Sequence, residues 1–280
     1  MVSEAPPAAS VAAIPAPKRA ANPSLWLSVG TLWWREVRGF YRQRSRVIGA
    51  LATPLVFWLL LGSGFGASLR TGDGSADYLQ FFFPGTLALV ILFTAIFSNI
   101  SVIEDRREGF LLSVLVAPVS RIALALGKIL GAASIGLLQG LVLLPFAPLA
   151  GLPLDAARLP AMLGTMLLLA FGLTGLGFFF AWWLNSVQGF HSIMNVVLMP
   201  MWLLSGAVFP AEGAAGWVRG VMMVNPLTYG VAGLRQFLSP ETAVGGPSLG
   251  LCLAVLAVFG GATLAGAFYQ AAGTSPDSLS

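Results

Sequence analysis

Six stretches of this chain, each of 20 or more residues, contain no Asp, Glu, Lys or Arg. They cover residues 47–66, 79–103, 129–151, 159–184, 190–211 and 248–271. A helix crosses the hydrocarbon core of a bilayer with roughly 20 apolar residues. Only 9% of all residues are charged, against roughly a quarter in soluble domains. We therefore predict an all-α membrane protein with six transmembrane helices.

The distribution of Lys and Arg predicts the orientation of these spans. If the N-terminus is cytoplasmic, eleven of the fifteen basic residues lie on the cytoplasmic side. Arg70, Arg158, Arg219 and Arg235 are then outside. Because cytoplasmic loops carry an excess of Lys and Arg, we predict a multi-pass protein of a bacterial cytoplasmic (inner) membrane with both termini in the cytoplasm.

The two ends of the chain and its rare side chains carry little chemistry. Residues 1–24 are rich in Ala and Pro and lack the apolar core of a signal peptide, so we predict a disordered cytoplasmic tail. Residues 272–280 form a second short tail. Cys252 and His191 are each the single residue of their type, and we predict no metal site and no nucleic-acid partner.

Residues 25–46, before the first span, have the pattern of an amphipathic helix capped by Ser24. At 100° per residue, one face carries Trp26, Val29, Trp33, Val37 and Phe40. The opposite face carries Arg35, Arg38, Arg42 and Arg46. A helix of this kind lies in the membrane interface. Its arginines would meet anionic headgroups or an acidic partner, or the helix is simply an anchor.

A run of five charges, Glu104 to Glu108, lies between the second and third spans. Residues 104–118 are predicted to form a short cytoplasmic helix with its acidic residues in the first turn, where the helix dipole favours them. Apolar residues follow, and Ser120 can cap the next helix. A solvated loop would not need the apolar face and a stop-transfer signal would not need the acids, so we predict a docking surface for a cytoplasmic partner.

Residues 212–240, before the last span, are apolar but interrupted at Asn225-Pro226. Each half is too short to cross a bilayer. We predict two short helices that enter the outer leaflet and return. Closely spaced glycines, Gly127 with Gly131 and Gly136 with Gly140, are predicted to let helices of the chain pack closely.

Signatures of catalysis are missing from the sequence. It contains no GxxxxGK[ST] phosphate loop, no HExxH and no GxSxG. The six spans also lack the ionisable residues on which ion-driven transporters depend. We therefore predict no catalytic residue on this chain and disfavour both a membrane-embedded enzyme and ion-driven transport.

Three motifs resemble those of the ABC-2 type exporter permeases. They are "EDRREGFLLSVLVAPVSRIALALGK" from residue 104, "LLSGAVFP" from residue 203 and "NPLTYGVAGLR" from residue 225. With the spans and the N-terminal helix, the resemblance covers the chain from residue 25 onward. Two departures are Leu112-Ser113, in place of a pair often charged in the family, and Ala232, where an acidic residue is common.

The resemblance implies a permease that works with a separate ABC ATPase, two copies of each, with ATP and Mg bound on the ATPase and no cofactor on this chain. The first and fifth spans are our candidates for the contact between permease copies. The ATPase-coupling helix would present Glu104, Asp105, Arg106, Arg107, Glu108, Gly109, Phe110, Leu111 and Leu115. The interfacial helix would contribute Trp26, Trp33, Arg35, Arg38, Phe40 and Arg42. The outer gate would contain Trp217, Asn225, Pro226, Tyr229 and Arg235.

The family resemblance suggests export of an amphipathic drug or lipid. A lipid-linked oligosaccharide or polysaccharide is the alternative substrate, because permeases for such glycans share the same motifs. A membrane scaffold or channel that needs no ATPase is the alternative of another class. An ABC ATPase gene beside this one would favour the exporter.

Overall fold

The apolar runs form helices throughout the computed structural model, which describes residues 24–65, 78–110, 120–240 and 245–273. These residues contain no strand and form nine α-helices. The first three are α1 Leu25–Arg42, α2 Arg44–Phe65 and α3 Tyr78–Arg107. The next three are α4 Arg121–Leu143, α5 Leu159–Trp183 and α6 Val187–Leu203. The last three are α7 Gly216–Val224, α8 Pro226–Leu238 and α9 Leu249–Gly273.

Helix α3 lies at the centre and contacts α2, α4, α5 and α6. Its side chains are buried on all sides, including Phe82, Phe83, Leu87 and Ile91. A helix that is apolar all round can be buried in this way without exposing a polar face. Helices α2 and α9 are buried over much less of their length, so their outer surfaces are free to meet lipid or another chain.

Five helical segments are long and apolar enough to cross a membrane: Arg44–Gly64, Tyr78–Arg107, Arg121–Ala150, Leu159–Trp183 and Leu249–Ala271. The third of these includes a 3₁₀ extension of α4, Leu144–Ala150. They correspond to five of the six predicted spans. The remaining one, α6, has 17 residues and is shorter than the predicted 190–211, so a sixth crossing stays a prediction.

The early end of α6 has a local cause. The Leu204 N–H bonds the Pro200 carbonyl at 2.9 Å, and two residues later Gly206 has φ of 77°. A left-handed backbone is strained for residues with a side chain but not for glycine. The chain therefore turns at residues 204–206, and the predicted helix over 204–211 is wrong.

Both predicted serine caps are present. The Ser24 side chain accepts a hydrogen bond from the Leu27 N–H, and the Ser120 side chain accepts one from the Ala123 N–H. α1 ends at Arg42, earlier than predicted, and Gln43 separates it from α2. Arg46 therefore belongs to α2 and not to the amphipathic helix.

α1 packs along α4 through two of the predicted small residues. A Cβ on Gly127 would lie 2.6 Å from the Leu32 Cβ, and one on Gly131 would lie 2.7 Å from the Glu36 Cβ. These distances are too short for any larger residue unless α1 shifts. The glycine stripe therefore determines how closely the two helices approach.

This packing divides the predicted membrane face of α1. Val29 and Phe40 are buried in the protein, and the Trp33 Nε1 donates to the Ser134 Oγ of α4 at 3.1 Å. Trp26, by contrast, is 74% exposed. The prediction that all five residues face the membrane is wrong, because most of that face covers α4.

The predicted pair of short helices before the last span is present as α7 and α8, which meet at Asn225-Pro226. Their position relative to a bilayer stays a prediction. The predicted N-terminal tail lies outside the described residues except for Ser24, as does most of the predicted C-terminal tail from residue 274 onward.

Candidate functional site

The run of charges that dominates the sequence lies at the C-terminal end of α3. Glu104, Asp105, Arg106 and Arg107 form the last turn of that helix, and Gly109 ends it with φ of 73°. The prediction that the acids begin a separate short helix is therefore wrong. Their carboxylates are at the unfavourable end of the helix dipole, and cations from other helices compensate them. Of the predicted coupling residues, Leu111 and Leu115 lie outside the described residues.

Lys128 of α4 is the centre of this compensation and is almost completely buried. Its Nζ lies 2.5 Å from the Asp105 Oδ2 and 2.7 Å from the Glu36 Oε1. It also donates to the Ser101 Oγ at 3.1 Å, and that hydroxyl donates to the Glu36 Oε2 at 2.7 Å. One ammonium thus joins α1, α3 and α4.

Arg35 of α1 completes the arrangement. Its guanidinium donates to both oxygens of Asp105, at 2.9 and 2.5 Å. Its Cζ lies 3.7 Å from the centre of the Phe110 ring. The hydrogen bond to Asp105 raises the pKa of Arg35. We call Arg35, Glu36, Ser101, Asp105 and Lys128 the charge cluster.

Buried charges in such a cluster depend on one another. Removal of water from each ion costs several kcal/mol, and mutual attraction offsets this only when the geometry and hydrogen bonds are good. Loss of one partner leaves another charge buried without compensation and costs about 3–5 kcal/mol. The charge cluster therefore favours one arrangement of α1, α3 and α4.

The other members of the charge run also bind within the chain. Glu104 pairs with Arg46 of α2. Arg106 donates to the Asn185 side chain at 2.8 Å, and Arg107 donates to the Asn185 carbonyl at 2.7 Å. The end of α3 is thus tied to α2 and to the connection between α5 and α6. Of the five charges in the run, Arg107 and Glu108 are exposed, and Glu108 is the exposed acid.

A cavity of about 190 Å³ adjoins the charge cluster. Its walls combine both signs of charge with polar and apolar residues: Arg35, Glu36, Gly39, Phe40, Gln43, Arg46, Ser98, Ser101, Glu104, Asp105, Glu108 and Ile135. The buried Ser98 Oγ has no hydrogen-bond partner among the described residues. The space is polar enough to hold water beside the charge cluster.

The predicted outer-gate residues have structural partners at α7 and α8. The Asn225 side chain accepts from the Leu227 N–H at 3.0 Å, capping α8. It also donates to the Met201 and Leu204 carbonyls at 2.6 and 2.9 Å. Pro226 is the first residue of α8. Asn225 thereby fixes the junction of the two short helices to the end of α6.

Arg235 of α8 binds the facing backbone. It donates to the Gly206 carbonyl at 2.9 Å, and its Cζ lies 4.2 Å from the centre of the Phe81 ring. The Tyr229 hydroxyl donates to the Met223 carbonyl at 2.7 Å, whereas Trp217 is exposed. The structure therefore ties Asn225 and Arg235 to neighbouring parts of the chain, whereas the Tyr229 hydroxyl bonds to α7 and Trp217 lies at the surface.

Three members of the charge cluster, Glu36, Ser101 and Lys128, were not among the predicted site residues, although Lys128 ends the first of the three family motifs. A signal was present: Glu36 falls on the same face of α1 as Val29 and Phe40, and Lys128 lies within an apolar helix. An isolated acid and an isolated base on apolar helix faces can be buried together if they form an ion pair with each other. Among the described residues, no three His, Cys, Asp or Glu side chains are placed to hold a metal ion.

Comparison with known proteins gives matches over most of the chain. A family model described as ABC-2 type transporter matches residues 28–238, which contain the charge cluster and the α7–α8 pair. A putative transport permease ycf38 from Cyanophora paradoxa is 27% identical over 201 residues, or 71% of this chain and 69% of the relative.

Two further relatives cover more of the chain. The daunorubicin resistance ABC transporter permease protein DrrB1 from Streptomyces coeruleorubidus is 23% identical over 239 residues, or 82% of each chain. Nodulation protein J from Rhizobium meliloti (strain 1021) is 28% identical over 250 residues, or 84% of this chain and 88% of the relative.

Proposed function

The chain belongs to the ABC-2 type transporter family, and from this membership we propose that it is the permease subunit of an ATP-driven exporter coupled to a separate ABC ATPase. The observation that carries the proposal is the charge cluster. It joins α1, α3 and α4 beside the segment that resembles the coupling loop of the family.

The coupling route follows the chain. α3 ends at Arg107, and the chain returns as α4 at Arg121. Residues 108–120 between them would contact the ATPase. Lys128 links α4 to both Asp105 of α3 and Glu36 of α1. A displacement of the segment by the ATPase would therefore move three helices as one body, in the manner of rigid-element switching.

We assign contact with the ATPase to fewer of the charged residues 104–108 than the sequence alone indicated. Asp105 is buried and Glu104 is paired within the chain, so neither is free to bind a partner. Glu108 is exposed, and the apolar residues that follow it would fill an ATPase groove. Phe110 already contacts Arg35 on one face of its ring. ATP and Mg would bind on the ATPase.

The assembly would contain two permease chains and two ATPase chains in a bacterial cytoplasmic membrane, with both termini of this chain in the cytoplasm. α7 and α8 would form the outer gate, because Asn225 and Arg235 connect them to α6 and α3. The first and fifth predicted spans, α2 and α6, remain our candidates for the contact between permease copies.

The substrate would be an amphipathic drug or lipid, which the likeness to a daunorubicin resistance permease supports. The likeness to Nodulation protein J supports the lipid-linked oligosaccharide as the alternative. A scaffold or channel that works without an ATPase would give the same fold but no nucleotide dependence.

The test is co-purification and transport with an ABC ATPase from the same organism. Inside-out vesicles should accumulate substrate with ATP and not when the ATPase lacks its phosphate-loop lysine. Glu108→Lys should weaken retention of the ATPase, whereas Asp155→Lys, at a half-exposed acid far from the segment, should not. Transport that proceeds without ATP would contradict the proposal.

A further inference from the structure

α1 has three different faces along its length. The first is buried against α4 and contains Val29, Leu32, Glu36 and Phe40. A second face is apolar but exposed, and a third is basic. Successive residues are about 100° apart around the helix axis. Measured around that axis, the exposed apolar face spans about 100° and the adjoining basic face spans about 60°. A helix that only needed to pack on its own chain would not need the second and third faces.

The exposed apolar face is mostly aromatic. Trp26 is 74% exposed, Trp34 is 56% exposed and Tyr41 is 42% exposed, with Leu27 beside them. Trp and Tyr of membrane proteins concentrate at the level of the headgroups, where an apolar ring with a polar edge is best accommodated. Three such aromatic side chains and a leucine, all exposed along one face of a helix, are costly in water.

The basic face adjoins this aromatic face directly. Arg38 and Arg42 are exposed, and neither makes an ion pair with any acid in the part of the chain that the structure describes. Arg35 lies between them and Asp105. A groove of about 480 Å³ runs along this face, lined by Thr31, Trp34, Arg35, Arg38, Gly39 and Arg42.

We propose that the aromatic and basic faces of α1 bind anionic phospholipids of the cytoplasmic leaflet, with the phosphates at Arg38 and Arg42 and the rings of Trp26, Trp34 and Tyr41 among the headgroups. A guanidinium binds phosphate oxygens through two parallel hydrogen bonds. The groove offers two guanidiniums that form no ion pair among the described residues, and they lie beside an indole ring. This suits a charged headgroup attached to an apolar chain.

An acidic protein surface would satisfy the arginines but not the row of exposed aromatic side chains. An anionic membrane surface satisfies both, because basic side chains gain from its negative potential while the rings enter the interface. The same helix would then hold the charge cluster on one side and the lipid on the other, so that lipid composition acts on the position of α1.

The test uses the full chain in nanodiscs of phosphatidylcholine alone or of phosphatidylcholine with phosphatidylglycerol. The single cysteine, Cys252, is replaced by alanine, and Thr31→Cys carries a fluorophore that reports polarity beside the groove. Emission should move to shorter wavelength when phosphatidylglycerol is present, and added salt should reverse the shift because it screens exposed charges.

Arg38→Gln combined with Arg42→Gln should lower the apparent association constant for phosphatidylglycerol about thirtyfold. Each arginine near an anionic surface raises that constant about fivefold. Arg158→Gln with Arg219→Gln removes the same charge from exposed arginines elsewhere and should leave the response unchanged. If the double variant on α1 does not fold, Arg42→Gln alone should show about a fivefold loss.

Equal emission in both kinds of nanodisc would overturn the proposal, as would a parent-like response of the folded Arg38/Arg42 variants. A shift that requires the ABC ATPase and not phosphatidylglycerol would assign this face to the ATPase and would also overturn it.

Discussion

Lys128→Met tests whether the charge cluster holds α1, α3 and α4 together. Methionine keeps the length and apolar stem of lysine but removes the ammonium that faces Asp105 and Glu36, whose side chains are 5% and 9% exposed. Asp105 keeps its two hydrogen bonds to Arg35. Glu36 keeps only a 3.6 Å approach of Arg35 and the hydrogen bond from Ser101.

Breaking a buried ion pair costs about 3–5 kcal/mol. Because Arg35 still contacts both carboxylates after Lys128 is replaced, we expect a cost near the lower limit. We expect about 3 kcal/mol less stability for Lys128→Met. Adding Glu36→Gln to it removes the stranded carboxylate, so the double variant should recover at least about 1 kcal/mol of that loss. Such recovery is a coupling energy that a double-mutant cycle measures directly.

Thermal or denaturant unfolding in detergent, followed by size-exclusion chromatography with fluorescence detection, measures Lys128→Met, Glu36→Gln and the double variant. Arg158→Met is the matched control, because its ion pair with Asp155 is about half exposed and should contribute less than about 1 kcal/mol. A Lys128→Met chain as stable as the control, or a double variant whose loss is the plain sum of the two single losses, would refute the reasoning.

Three further predictions concern packing, the outer junction and topology. Gly131→Ala should destabilise the chain by about 1–3 kcal/mol in the same unfolding assay, because the new Cβ would lie 2.7 Å from the Glu36 Cβ. The control is Gly30→Ala, whose Cβ would have nothing within 4 Å and which should be neutral or stabilising. Asn225→Ala should cost about 1–3 kcal/mol in the assay. It removes the partner of the Met201 carbonyl and of the Leu227 N–H and leaves the Leu204 carbonyl only a 3.5 Å hydrogen bond from Thr228. Unchanged stability would show that this side chain does not fix the junction. A cysteine in place of the exposed Glu108 should react with impermeant reagent only from the cytoplasmic side, and labelling from outside intact cells would reverse the predicted orientation.

The helices themselves could be predicted from the sequence because their causes are local. The span predicted at residues 159–184 is α5, Leu159–Trp183. The serine caps involve a hydroxyl and an N–H three residues away, and the split at Asn225-Pro226 follows from the missing N–H and fixed backbone of proline. The apolar runs are similarly local, since the number of uncharged residues in a row decides whether a helix can cross a bilayer.

The partners of the charges could be decided only by tertiary structure. Lys128 and Glu36 are 92 positions apart. The sequence shows that each is an isolated charge among apolar residues, but not that the two pair with each other. The local rule that acids favour a helix N-terminus predicted a new helix at Glu104. In the structure, α3 instead continues to Arg107, where Asp105 meets Arg35 and Lys128. Arg35 and Lys128 are far from Asp105 in the sequence but form ion pairs with it in a buried site. There they act on its carboxylate more strongly than the dipole of one exposed helix end does. The face of α1 that meets α4 was decided in the same way, because sequence periodicity shows which residues share a face but not which neighbour covers it.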